Sequence, residues 1–193
     1  MLALALFIAV AALFILVAVC LRQPVALEMP AKSDGASTNL PVFSPSDGTA
    51  VPLRDVPGAT AAAGGPHRGL AIRPCSGSVF APFDASVVAV HPTGHAMKLR
   101  HAAGAEVLIH IGVDSIEPNG EHFHLKVGIN QQIKAGDLLV EFDHLAMEDA
   151  GNETFITIIV ESTHLYSRIE PLAFGAISHG EALFMAIAVQ KVG

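Results

Sequence analysis

Ala105-Glu-Val-Leu-Ile-His-Ile-Gly-Val-Asp114 is the stretch on which the fold turns. At the two-residue period of a strand, Val107, Ile109 and Ile111 share one face, and Leu108, His110 and Gly112 share the other. Outward from it, comparable apolar runs occur at Ser86–Val90, Met97–Leu99, Leu138–Phe142, Phe155–Val160 and Ala182–Val189. Val, Ile and Phe dominate these runs, and Pro, Gly, Asp and Asn separate them. Short strands punctuated in this way predict an all-β chain, an antiparallel β-sandwich or barrel-sandwich. Leu145–Ala150 is the one helical candidate in this part of the chain, and Thr60–Gly65 reads as a small-residue loop.

Two short segments recur. Phe43-Ser-Pro45-Ser-Asp47-Gly-Thr-Ala-Val51 returns as Phe80-Ala-Pro82-Phe-Asp84-Ala-Ser-Val-Val88. Ile133-Lys-Ala-Gly136-Asp137-Leu-Leu139 returns as Ile177-Ser-His-Gly180-Glu181-Ala-Leu183. The first pair places a Pro-Asp turn before a strand, and the second a Gly-acid turn between two strands. Such pairs predict an internal duplication, two copies of a sheet module sharing one core.

All ten histidines fall between His67 and His179. His67, His144, His164 and His179 have no local partner pattern and read as solvated loop residues. His122-Phe-His124 puts two imidazoles on one face of a strand, a spacing that suits a metal, but no cysteine or spaced carboxylate accompanies it. His110 lies in the middle of a strand, with Gly112 next on its face leaving the ring uncovered. It reads either as a hydrogen-bonded structural histidine or as a reactive one. His95, in Pro92-Thr93-Gly94-His95-Ala96, enters a strand from a turn, and Thr93 is near enough in sequence to orient its ring. Two imidazoles on a mostly apolar surface suit phosphoryl transfer, because a neutral histidine is nucleophilic near pH 7 and a second can steady the phosphoryl charge. The chain has no Gly-x-x-x-x-Gly-Lys loop, which points to a protein rather than ATP as the donor.

The 193 residues carry 51 % hydrophobic and 15 % charged side chains, and a net charge of −7. The mean hydropathy of +0.50 is raised by one end, since Met1 to Leu21 contains no charged side chain. A run of that length matches the roughly 30 Å hydrocarbon core of a bilayer. It lacks the basic start and small-x-small end of a signal peptide. Residues 1–22 are therefore expected to form a transmembrane helix, 23–39 a Pro-, Ala- and Ser-containing linker, and 40–190 the β domain. Arg22 and Lys32 follow the helix, so the domain is expected in the cytoplasm, held to the inner membrane by residues 2–21 in a single pass. Cys20 and Cys75 suggest no disulfide framework. The acidic balance, with no basic cluster, argues against nucleic acid as a partner.

The stretches Ser44-Pro45-Ser-Asp47-Gly48, Phe80-Ala-Pro82-Phe-Asp84, Pro92-Thr93-Gly-His95-Ala96, Val107–Asp114 and Lys134-Ala-Gly136-Asp137, in this order, resemble the enzyme IIA domain of the glucose family of the bacterial phosphoenolpyruvate:sugar phosphotransferase system. The resemblance runs from about Val42 to Val160. It implies an antiparallel β-sandwich with a shallow apolar active-site face and no cofactor or bound metal. His110 matches the phosphoryl acceptor, loaded by the phosphocarrier protein HPr and discharged onto a cysteine of a IIB domain beside its IIC permease. His95 matches the accessory histidine that holds the phosphoryl group, Thr93 the residue that orients it, and Asp114 an acidic neighbour suited to positioning or partner contact. The chain departs from the family pattern at Ser115, Pro118 and Pro66-His67-Arg68-Gly69.

Three other readings are weighed against it. One is a regulatory binding domain that keeps the fold without phosphotransfer. Another is a zinc endopeptidase of the lysostaphin type, which places its His-x-His after the Gly-Asp turn, whereas His122-Phe-His124 precedes Gly136-Asp137. The last is a biotinyl or lipoyl carrier, imitated by Ala96-Met97-Lys98, whose lysine comes before rather than after that turn.

Overall fold

The structure is a computed structural model and describes residues 39–59, 68–112, 122–149, 154–162 and 164–189. The expected membrane helix, the linker up to residue 38, and Asp114 lie outside them. No helix among the described residues is long and apolar enough to cross a membrane.

The decisive stretch forms a strand, β7 (Glu106–Ile111), and the alternation holds. Val107, Ile109 and Ile111 are each 0 % exposed, while Leu108 and His110 on the other face are only partly covered. Around β7 an antiparallel sheet of eight strands assembles. On one side follow β11 (Ile156–Val160), β3 (Gly69–Pro74), β2 (Gly48–Pro52) and β13 (Gly175–Ile177). On the other lie β6 (Ala96–His101), β5 (Ala85–Val90) and β9 (Gln132–Ile133). Two three-stranded antiparallel sheets complete the domain: β1 (Leu40–Phe43), β14 (Ala182–Ala188) and β12 (Tyr166–Pro171), then β4 (Ser78–Phe80), β10 (Leu138–Phe142) and β8 (Phe123–Leu125). The inner faces of all three meet in one apolar core that includes Val42, Val79, Ile109, Leu139, Ile158 and Phe184. This is the antiparallel sandwich that the strand pattern predicts. The expected helix is present as α1 (His144–Asp149).

The duplication is written into the backbone hydrogen bonds. Phe43 N donates to Pro82 O at 3.1 Å, and the matching Phe80 N donates to Pro45 O at 2.7 Å. Ser44 N donates to Glu181 O as Ala81 N does to Asp137 O, and Gly180 N to Ser44 O as Gly136 N does to Ala81 O. Strand registers agree too: Ile177 stands opposite Gly48, and Ile133 opposite Ala85.

β11 departs from simple alternation, because all five of its residues are buried. Its inner residues Ile156, Ile158 and Val160 join the main core. Ile159, on the outer face, packs with Phe155, Ala71, Leu53, Val56 and Ala59, a small cluster roofed by the 3₁₀ turn Leu53–Asp55. A strand covered on both faces has no reason to alternate.

Candidate functional site

β6 and β7 pair with Ala96 opposite His110, so the residue that enters β6, His95, lies beside the centre of β7. Ile111 N donates to His95 O at 2.8 Å and fixes the junction. The two rings then meet edge to face, with centroids 5.2 Å apart and planes at 81°. Alternation sends His110 to the outer face of the sheet, where Thr157 stands opposite it on β11 and donates from Oγ1 to the His110 carbonyl at 3.4 Å.

The turn between β5 and β6 explains the rest. His91 N donates to Ala96 O, and Gly94 N donates back to His91 O, both at 2.8 Å. Gly94 adopts a φ of 83°, and a side chain there would meet Phe123 Cβ at 3.0 Å and Leu125 Cγ at 3.3 Å. Glycine is thus needed for conformation and for space. The turn places Thr93 Oγ1 2.5 Å from His95 Nδ1 and 2.9 Å from His91 Nδ1. His91 and His95 lie with ring centroids 4.2 Å apart. Phe123 closes the other side, its ring 6.3 Å from that of His95.

Electrostatics keep both central rings neutral at pH 7. Burial, then the neighbouring His91 and His110, push His95 down to about 4. Burial also lowers His110, with the Gly112 backbone opposing the shift and His91 adding to it. Gly112, at a φ of 89°, adopts a left-handed backbone open to glycine without side-chain strain. A neutral imidazole keeps one ring nitrogen with a free lone pair. The arrangement offers a neutral imidazole, a potential nucleophile, beside a second one.

Of the residues singled out in the sequence, His110, His95 and Thr93 come together, and Asp114 is not among the described residues. His122 and His124 are exposed on either side of the buried Phe123, and no group of three His, Cys, Asp or Glu is placed to hold a metal among the described residues. Lys98 sits within β6 and pairs with Glu161 at 2.7 Å, away from any hairpin tip. His179, read as a solvated loop residue, instead bonds Asp47 Oδ1 through Nδ1 at 3.0 Å and stacks on Phe80. Sequence reasoning missed His91 and Phe123. Histidines at both ends of a Pro-Thr-Gly turn were the available signal for the first, since a tight turn returns its ends to each other.

The family model for the phosphoenolpyruvate-dependent sugar phosphotransferase system, EIIA 1, matches residues 40–166. A glucose-specific EIIA component from Halalkalibacterium halodurans is 33 % identical over 85 % of this chain and 95 % of that protein. A beta-glucoside-specific EIIBCA component from Dickeya chrysanthemi is 37 % identical over 80 % of this chain, which spans only 26 % of that relative. The glucose permease IIA of Mycoplasma capricolum, a solved structure, superposes with a TM-score of 0.64 and 27 % identity, over 76 % of this chain and 95 % of that one. Sequence and architecture agree, and the chain belongs to the type 1 EIIA family of the sugar phosphotransferase system.

Proposed function

We propose that His110 is the phosphoryl acceptor of this EIIA domain, taking the group from phospho-HPr and passing it to a IIB domain for coupled sugar uptake and phosphorylation. The observation that carries the reading is the edge-to-face meeting of the His110 and His95 rings on the outer face of the sheet, with centroids 5.2 Å apart. The free nitrogen of His110 attacks phosphorus as the donor's N–P bond breaks. Later the acceptor's thiolate attacks and the His110 N–P bond breaks in turn. His95, oriented by Thr93, steadies the phosphoryl oxygens in between. Asp114 contributes positioning or partner contact. Fusion of related domains to IIB and IIC parts in the EIIBCA components supports a IIB partner.

We further propose that residues 2–21 anchor the chain in the inner membrane, with the β domain in the cytoplasm where phospho-HPr is found. The support is the uncharged apolar run and the cations Arg22 and Lys32 that follow it. Membrane fractionation tests this: the full chain should sediment with membranes and resist alkaline extraction, and deletion of residues 1–22 should release it. For the phosphoryl reading, the full chain is incubated with phosphoenolpyruvate, enzyme I and HPr. An acid-labile, alkali-stable label is expected on wild type and not on His110→Gln; equal labelling of both would refute the assignment.

A further inference from the structure

We propose that His91 is a positioning residue that sets the tautomer of His95 through the Thr93 hydroxyl, so that the chain His91–Thr93–His95 runs one way at rest and reverses when His110 carries its phosphoryl group. The first half stands on geometry alone, and the reversal rests on the function proposed above.

Thr93 Oγ1 lies within hydrogen-bond distance of two ring nitrogens, 2.9 Å from His91 Nδ1 and 2.5 Å from His95 Nδ1. A hydroxyl has one proton. It can donate to only one ring, so once one Nδ1 accepts that proton the other can bond the oxygen only as a donor. The Thr93 backbone N–H also points at His91 Nδ1, at 3.4 Å. That donor makes His91 Nδ1 an acceptor at rest. The Thr93 hydroxyl then donates to His91, His95 donates from Nδ1 to Thr93, and His95 Nε2 is left with a bare lone pair.

A bare lone pair is the wrong partner for a phosphoryl oxygen. To donate from Nε2 as a neutral ring, His95 must give up its Nδ1 proton. The chain allows this without creating a charge. The Nδ1 proton of His95 passes to Thr93, whose own proton passes to His91 Nδ1. His91 Nε2 releases a proton to water, and His95 Nε2 gains one from water. The proton count is unchanged. His91 is exposed, which suits the end of the chain that trades protons with solvent. Holding His95 as a cation instead is the costlier route, because its neighbourhood disfavours that form.

The test is nitrogen NMR of the imidazoles in the full chain, on wild type, His91→Phe and His91→Asn. Asparagine places an oxygen or an amide near the position of Nδ1 and so can continue the chain; phenylalanine cannot. At rest, wild type should show His95 protonated on Nδ1. His91→Phe should mix the two tautomers, and His91→Asn should recover a single one. In the phosphorylated protein, wild-type His95 should carry its proton on Nε2. Onward transfer at saturating IIB should fall about five-fold in His91→Phe, the worth of one neutral hydrogen bond, with KM for IIB unchanged. Identical His95 tautomer populations in wild type and His91→Phe would overturn the proposal. Failure of wild type to take up label would sink the function reading and the reversal with it, while the resting tautomers still decide whether His91 governs His95.

Discussion

The two copies of the duplicated corner match bond for bond, yet they lead to different things. After β2 the chain enters the 3₁₀ turn Leu53–Asp55, which roofs the small outer cluster with Leu53. After the equivalent strand β5 it enters the turn that carries His91, Thr93 and His95. One copy spends the end of its strand on packing and the other on chemistry. The lesson is that the duplication supplies a rigid frame, and the site stands where the copies diverge. Function on a repeated scaffold is then sought at the first element that lacks a counterpart.

The strongest way to sharpen this contrast is to remove the chemistry and leave the frame. His110→Gln should abolish phosphoryl uptake while thermal unfolding stays close to wild type, because the ring sits on the outer face and outside the core. His95→Gln should still label at His110 but pass the group on at least about a hundred-fold more slowly, as expected for loss of a preorganised donor. Rapid-quench transfer to IIB measures it. A normal rate in His95→Gln would detach the turn from function and undo the contrast.

Much of this was legible beforehand. Strict alternation around His110 gave its face, and the repeated Pro-Asp and Gly-acid turns gave the frame. β3, Gly69-Leu-Ala-Ile-Arg-Pro74, has no clean alternation because it is buried on both sides until Arg73. β12 carries Ser167, Arg168 and Glu170 exposed, so it looks like a loop until β14 pairs with it. β8 and β9 span three and two residues, too short for any period to register. Phe123 reaches His95 only because β8 pairs with β10, a contact made by distant sequence. His91 is exposed and has an ordinary composition around it, so its part in the site depends on turn geometry that composition does not encode.

The frame itself can be probed at matched positions. Leu139 and Leu183 are related by the duplication and are both 0 % exposed. Truncating either to Ala should cost about 2–5 kcal/mol, and the two costs should agree within about 1 kcal/mol if the copies are equivalent in energy as well as in bonding. Urea unfolding of the two variants decides this. A wide gap would show that the symmetry is one of backbone only. Gly48 and Ala85 also correspond, but here the copies differ. A Cβ on Gly48 would lie 2.1 Å from the Arg73 carbonyl oxygen in β3. Gly48→Ala should therefore destabilise by about 1–3 kcal/mol as strands are forced apart. Ala85→Gly, which opens no such contact, should cost less.

The smallest effect expected separates the two aspartates of the corners. Asp47 Oδ1 accepts from the His179 backbone N–H at 2.8 Å and from its ring at 3.0 Å, and its side chain is 20 % exposed. Asp84 accepts from the Ala135 N–H at 2.9 Å and from Lys134 Nζ at 2.8 Å, but its side chain is 49 % exposed. The bonding is the same in kind, so the difference in cost reports burial. Asp47→Ala should cost about 1–2 kcal/mol through lost, partly buried hydrogen bonds. Asp84→Ala should cost under about 1 kcal/mol, because solvent screens the exposed pair. The pH dependence follows from the Lys134 and Ala135 bonds, which hold the Asp84 carboxyl below its ordinary value of 3.8. Since the unfolded chain binds that proton more readily, the Asp84 contribution is present above pH 3.8 and is lost as pH falls below it. Wild type and Asp84→Ala should thus converge in stability on acidification. If they stay apart down to pH 2, the cost of the substitution is packing rather than charge, and the corner is held by shape alone.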